Sequence, residues 1–211
     1  MDGTLVDNTL VHIRAFEIFC NRYGVEGWQE KLSSVFGMGN DDIMNLILPK
    51  EVILEKGIPA LAEEKEAIYR EIYAPDIHPI EGLGTLLETL SKAGIRCAVG
   101  SSAGRKNIDF VLEKCHIGQY FETIVCGDEV TKCKPDPEIY LTAAHKLGLD
   151  PQQCLVFEDA KAGIESAYRA GAGRIVALAT TLDRTTLEAL HQADQIIDDY
   201  SQIVDLDRLI G

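Results

Sequence analysis

From about residue 78 onward, short unbroken apolar runs alternate with amphipathic stretches, and this alternation restricts the possible folds more than any other feature of the chain. The runs at 95–100 (IRCAVG), 123–126, 154–157 (CLVF), 175–178 (IVAL) and 195–197 read as strands. The stretches at 84–93, 105–115, 137–147, 162–170 and 185–192 read as helices between them. A strand that is apolar on both faces must be covered on both faces. Such strands separated by helices imply a parallel sheet between helical layers. Residues 10–74 follow a different rule. Val11, Ala15, Ile18 and Phe19 recur at helical spacing, as do Ile43, Leu46 and Ile47, then Ile68 and Ile72. Gly24, Gly27, Gly37, Gly39, Gly57 and Pro59 punctuate that segment. The expected architecture is α/β. Residues 1–9 and 78–211 form a doubly wound, Rossmann-like parallel-sheet core, and residues 10–77 form an inserted helical unit with its linker.

Composition narrows the class of function. A chain of 211 residues buries a sizeable core without disulfides. Its net charge of −14 argues against nucleic acid or an anionic membrane as a partner. No apolar run reaches the length of a membrane span, and no secretory leader is evident. The six cysteines (Cys20, Cys97, Cys115, Cys126, Cys133, Cys154) form no C-x-x-C pair, and they read as buried free thiols of a cytoplasmic protein. A monomer is the expected state.

In a doubly wound sheet, chemistry gathers in the loops after the carboxyl ends of the strands. Four groups of polar residues fall there. Asp2 lies in the opening D-G-T-L-V-D, and Ser101-Ser102 follow IRCAVG. Lys134 lies in C-K-P-D-P, and Glu158-Asp159 follow CLVF. Each alone has an ordinary explanation as a helix cap, a loop start or a tight turn. Together, in order and each at a strand end, they suit phosphoryl transfer, where charge neutralisation and positioning dominate. Glu158 and Asp159 offer hard oxygen donors suited to Mg2+. Ser101 donates a hydrogen bond, Ser102 lies beside it, and Lys134 adds a point charge for the same oxygens. Asp2 is placed for proton transfer at the leaving oxygen.

These motifs resemble those of the haloacid dehalogenase superfamily, in its subgroup of sugar-phosphate phosphatases and β-phosphoglucomutase. D-G-T-L-V-D, G-S-S, C-K-P-D-P-E-I-Y and V-F-E-D-A-K-A-G-I match its four motifs in order, over essentially the whole chain. The resemblance implies a helical cap inserted after the first motif. It implies Mg2+ held by an aspartate two residues before Asp2 in the family pattern, the Asp2 carbonyl and Asp159, with Glu158 in support, and a phosphoryl group held by Ser101 and Lys134. It also implies that His12, within H-I-R-A-F, lies near the cap hinge, and that Gly37-Met38-Gly39-Asn40 forms the cap's substrate loop. The mutase carries an arginine where this chain has Asn40, so the expected activity is Mg2+-dependent hydrolysis of a small phosphorylated metabolite. β-Phosphoglucomutase is the alternative. Ala160 stands where a serine commonly follows E-D.

One residue of the pattern is missing. The family's D-x-D-G-T begins with a nucleophilic aspartate on a central apolar strand, and here that position falls just before Met1. A chain starting at Met1 is therefore expected to leave a gap in its sheet or to fold poorly, and to be inactive. The simplest reading takes Met1 as the middle residue of D-x-D. An inactive, truncated or regulatory protein is the other.

Overall fold

The computed structural model describes residues 1–33 and 40–210. The chain divides into two compact units, one of Met1–Asp7 with Ile77–Gly211, the other of Asn8–Asp76.

The second unit is helical: α1 (Thr9–Arg22), α2 (Trp28–Ser33), α3 (Asn40–Ile47), α4 (Lys50–Lys56) and α5 (Ile58–Tyr73). Its centre is the seam between α1 and α5. Ala15, Phe16 and Phe19 of α1 are buried, as are Leu61, Ile68 and Tyr69 of α5. These are the three-four spacings that put apolar side chains on one helix face. Pro59 sits in the first turn of α5, where its missing N–H costs nothing.

The other unit alternates as the apolar runs imply. In order it contains α6 (Leu83–Lys92), β1 (Cys97–Gly100), α7 (Arg105–Lys114), β2 (Phe121–Val125), α8 (Glu138–Leu147), β3 (Leu155–Glu158), α9 (Lys161–Ala170), β4 (Arg174–Leu178), α10 (Arg184–Leu190), β5 (Gln195–Ile197) and α11 (Leu206–Ile210). All three ladders are parallel. The sheet, however, is in two pieces, β1 with β2 and β3 with β4 and β5. No described ladder joins β1 to β3. β2 starts two residues ahead of its expected position because Phe121 pairs with Cys97 across a register irregularity.

Two buried clusters hold this unit together. Ile164, Ala167, Ile175, Ala177 and Leu187 form one. Val125, Ile139 and Ala143 form the other. Tyr140 of α8 packs against both, so one aromatic ring spans the two sheet pieces. All six cysteines are free, but only Cys20 and Cys126 are buried. Cys133 is exposed, which corrects the expectation of uniformly buried thiols. It lies in the polar turn before α8 rather than in an apolar run.

Candidate active site

The opening residues form a tight turn. The Thr4 and Leu5 amides donate to the Met1 carbonyl at 3.1 and 2.6 Å, and Asp2 bridges to Val6. The turn is tied into the unit by Ile80 N–H donating to the Leu5 carbonyl at 2.9 Å and by the Tyr200 hydroxyl donating to the Thr4 carbonyl at 2.9 Å. These contacts bring the turn to the carboxyl end of β3. The Thr4 hydroxyl donates to Asp159 Oδ1 at 2.8 Å, across 155 residues of sequence. The Thr181 hydroxyl donates to Asp159 Oδ2 at 2.5 Å, and Thr180 donates to the Gly3 carbonyl. Gly3 has φ +64, and a methyl group there would overlap the Asp159 carboxylate. Glycine is required at this point both by the left-handed backbone and by the close approach.

Glu158 ends β3 and is equally enclosed. Lys134 Nζ pairs with its Oε1, and the Tyr140 hydroxyl donates to the same oxygen at 2.5 Å. Its Oε2 accepts the amides of Asp159 at 3.0 Å and Ala160 at 3.3 Å. The Ala160 amide thus makes a contact that needs no side chain. Gly163 of α9 lies so close that a methyl there would overlap the Glu158 carboxyl group. Lys134 Nζ also donates to the Gly100 carbonyl at 3.3 Å and to the Tyr140 hydroxyl at 3.0 Å, linking the end of β1 to the end of β3. Ser101 follows directly. It is buried, its amide donates to the Val125 carbonyl at 3.0 Å, and its Oγ accepts the Ala103 amide at 3.2 Å. Ser102, next in the chain, is exposed.

Lys134 pairs with Glu158 and not with Asp159, and the proton affinities of these two adjacent buried carboxylates split. Burial works to raise the Glu158 carboxyl, but Lys134 and the Tyr140 hydroxyl hold it well below the usual carboxylate range. Burial pushes the Asp159 carboxyl up to about 6, and the charge on Glu158 adds to that. The Tyr140 hydroxyl is raised well above its ordinary value, by burial and then by Glu158, so it remains a donor.

The structure thus gathers Gly3 and Thr4 of the first motif, Lys134, Glu158 and Asp159 at one end of the strands, with Ser101 one residue beyond the carbonyl that Lys134 reaches. His12 belongs to the helical unit, where its ring stacks on Tyr69 at 4.0 Å. Asn40 opens α3; its side chain and Gly37-Met38-Gly39 lie outside the described residues. Three functional candidates escaped the sequence reading. Thr181 holds Asp159, and Tyr140 holds Glu158. Lys65, 3% exposed, meets His12 Nδ1 at 3.0 Å and Glu66 at 2.9 Å, with its ammonium 4.4 Å from the Phe16 ring centre. Only Lys65 carried a usable signal, since a charged residue four positions before Tyr69 on an apolar face needs a partner.

The family model for haloacid dehalogenase-like hydrolases matches residues 1–177. The chain belongs to the haloacid dehalogenase-like hydrolases. It is 28% identical over 194 residues to a phosphorylated carbohydrates phosphatase of Thermotoga maritima, covering 90% of this chain and 88% of the relative. It is 28% identical over 172 residues to a fructose-1-phosphate phosphatase of Escherichia coli, covering 81% of this chain and 89% of that protein. Among solved structures, a family IA, variant 3 hydrolase from Entamoeba histolytica is similar with a TM-score of 0.85 and 27% identity, over 100% of this chain and 95% of that one. In sequence, the helical unit of Asn8–Asp76 lies between the Met1–Asp7 and Ile77–Gly211 parts of the α/β unit.

Proposed function

We propose that this chain is the scaffold of a Mg2+-dependent phosphatase of small phosphorylated metabolites, most readily sugar phosphates, acting through an aspartyl phosphate. The observation that carries the reading is the seating of Thr4 and Gly3 on Asp159 beside the Lys134–Glu158 pair. The sugar-phosphate class rests on the two phosphatases it resembles.

The residues fit a magnesium ion in kind. Two adjacent carboxylates lie buried here, and burial first, then the charge on Glu158, pushes Asp159 up, so a cation beside it would be favoured. Among the described residues no three His, Cys, Asp or Glu side chains gather into a cage. Mg2+ is commonly held by only one or two carboxylates together with waters and substrate phosphate oxygens. Asp159, the Asp2 carbonyl and Glu158 would hold it. When bound, it neutralises phosphoryl charge and orients the ester.

The chain's own residues divide the remaining work. Lys134 and the Ser101 hydroxyl bind the non-bridging oxygens. In the first step a carboxylate oxygen attacks phosphorus, the ester P–O bond breaks, and Asp2 gives its proton to the departing alkoxide. In the second, Asp2 takes a proton from water, the water oxygen attacks phosphorus, and the acyl phosphate bond breaks to release phosphate and restore the carboxylate. Neither Glu158 nor Asp159 is free to be that first carboxylate, since each is held by hydroxyl or ammonium donors. His12, paired with Lys65, is proposed as a substrate-binding residue.

The test incubates the protein with Mg2+ and a panel of sugar phosphates. Released phosphate and isomerised sugar phosphate are read from the same samples. The 211-residue chain alone should show neither above background. When an in-line carboxylate is supplied, phosphate release should exceed isomerisation for every substrate. Robust turnover by the chain alone would mean that a described residue is the nucleophile. Dominant isomerisation of a sugar 1-phosphate would make the protein a mutase.

A further inference from the structure

The Lys134 ammonium has three N–H groups, and each finds an acceptor: Glu158 Oε1, the Tyr140 hydroxyl at 3.0 Å and the Gly100 carbonyl at 3.3 Å. The Tyr140 hydroxyl has a single proton, and it donates that proton to the same Glu158 Oε1 at 2.5 Å. Lys134, Tyr140 and Glu158 therefore close a triangle. The other Glu158 oxygen is taken by the Asp159 and Ala160 amides, so Lys134 is confined to Oε1. An ammonium turns easily about its last C–N bond, and one contact leaves its direction open. Two contacts set it. The third N–H then points to the Gly100 carbonyl, one residue before Ser101.

The backbone beneath Lys134 is held without Tyr140. The Thr131 and Lys132 amides donate to Glu138 at 2.9 Å, and the Thr131 hydroxyl does so at 2.7 Å. The buried Ser166 hydroxyl of α9 donates to the Asp136 carbonyl at 2.6 Å. The Tyr140 ring packs against both buried clusters and lies 3.5 Å from where a Cβ on Gly100 would stand. Ring and hydroxyl thus do separate things, since the ring fills space and only the hydroxyl touches the charges.

We propose that Tyr140 is a positioning residue for Lys134: its hydroxyl, seated between the ammonium and Glu158, aims the third N–H at the end of β1, where a phosphate oxygen takes the place of the Gly100 carbonyl. The exchange with phosphate rests on the phosphoryl-transfer reading above; the aiming of Lys134 does not. Of the three contacts the Gly100 bond is the one to yield. It is the longest, whereas releasing Glu158 would strand a buried charge and releasing Tyr140 would open the triangle. Without the hydroxyl the ammonium keeps Glu158 and swings about that single contact. Each phosphate that binds must then immobilise it again.

The experiment compares the parent with Tyr140→Phe, which keeps the ring, and with Ile175→Val. Ile175 is 2% exposed in the cluster beneath Tyr140, and shortening it lowers stability without removing any group of the triangle. The first readout is the 15N–1H resonance of the Lys134 ammonium, identified by its absence from Lys134→Met with Glu158→Gln. It should be sharp in the parent and in Ile175→Val, and broadened away in Tyr140→Phe. The second is titration of inorganic phosphate in the presence of Mg2+. Affinity should fall about tenfold in Tyr140→Phe and stay within about twofold of the parent in Ile175→Val. An ammonium signal absent from the parent, or unchanged in Tyr140→Phe, would overturn the positioning role. So would an equal loss of phosphate affinity in both variants, which would leave Tyr140 a packing residue only. An ammonium signal lost in Tyr140→Phe alone, with no phosphate bound by any of the proteins, would keep the positioning of Lys134 and overturn the phosphoryl-transfer reading.

Discussion

Lys134→Met should lower stability at pH 7 by about 3–5 kcal/mol, because it leaves a buried carboxylate without its cation. In a domain of this size that corresponds to a fall of roughly 10 °C in Tm. Glu158 is 5% exposed, and Lys134 is its only ammonium partner among the described ion pairs. Tyr140 and two backbone amides remain after the substitution, but they are dipoles and cannot offset a full charge. The loss should shrink as the pH falls and Glu158 takes up a proton. The double variant Lys134→Met with Glu158→Gln should recover most of the stability, since a neutral amide still accepts from Tyr140. Thermal melts of the three proteins between pH 4.5 and 8 decide this. A single variant as stable as the parent at pH 7 would show that the pair is not coupled through burial.

Asp159→Asn should act in the opposite direction. Its carboxyl is raised to about 6 by burial and by Glu158. A group whose folded pKa exceeds its unfolded value costs stability once ionised. The folded protein therefore weakens as the pH rises from about 4 through about 6, and the deficit stays in place above that. Asparagine removes the charge and retains a partner for Thr4 and Thr181. In the absence of divalent cation, the variant should be more stable than the parent by about 2 kcal/mol at pH 8 and equal to it near pH 4. On the reading proposed above, the same substitution removes a ligand for Mg2+. A residue that strains the empty fold and serves the loaded one is a common mark of a working site. A Tm difference that does not change between pH 4 and 8 would contradict the argument.

These two neighbours also show what the sequence alone could and could not reveal. The strands of the α/β unit were legible because runs such as CLVF and IVAL are apolar at every position, which only a doubly covered sheet explains. Asp159 and Lys134 stood out because each follows a strand or opens a helix at the end where loops converge. The partners that set their chemistry were not legible. Tyr140 looks like an ordinary helix residue, and its hydroxyl matters only because α8 carries it to the end of β3. Thr181 lies 22 residues from Asp159 and meets it only through the return of β4. Lys65 in α5 faces His12 in α1 across 53 residues. Side-chain partners across such distances follow from packing, which local pattern does not encode. The division of the sheet into two pieces, and the size and lining of the gap between them, come only from how α6 and α8 settle around it.

The central claim is that the carboxyl end of these strands is a joint site for a divalent cation and a phosphoryl group. Isothermal titration of inorganic phosphate into the 211-residue chain, with and without Mg2+, tests it most directly because it needs no turnover. Mg2+ should tighten phosphate binding by roughly 5–150-fold, and phosphate should tighten Mg2+ binding by the same factor. That coupling should vanish in Asp159→Asn, and phosphate binding itself should be lost in Lys134→Met with Glu158→Gln. Phosphate affinity that is indifferent to Mg2+, or unchanged in both variants, would contradict the account.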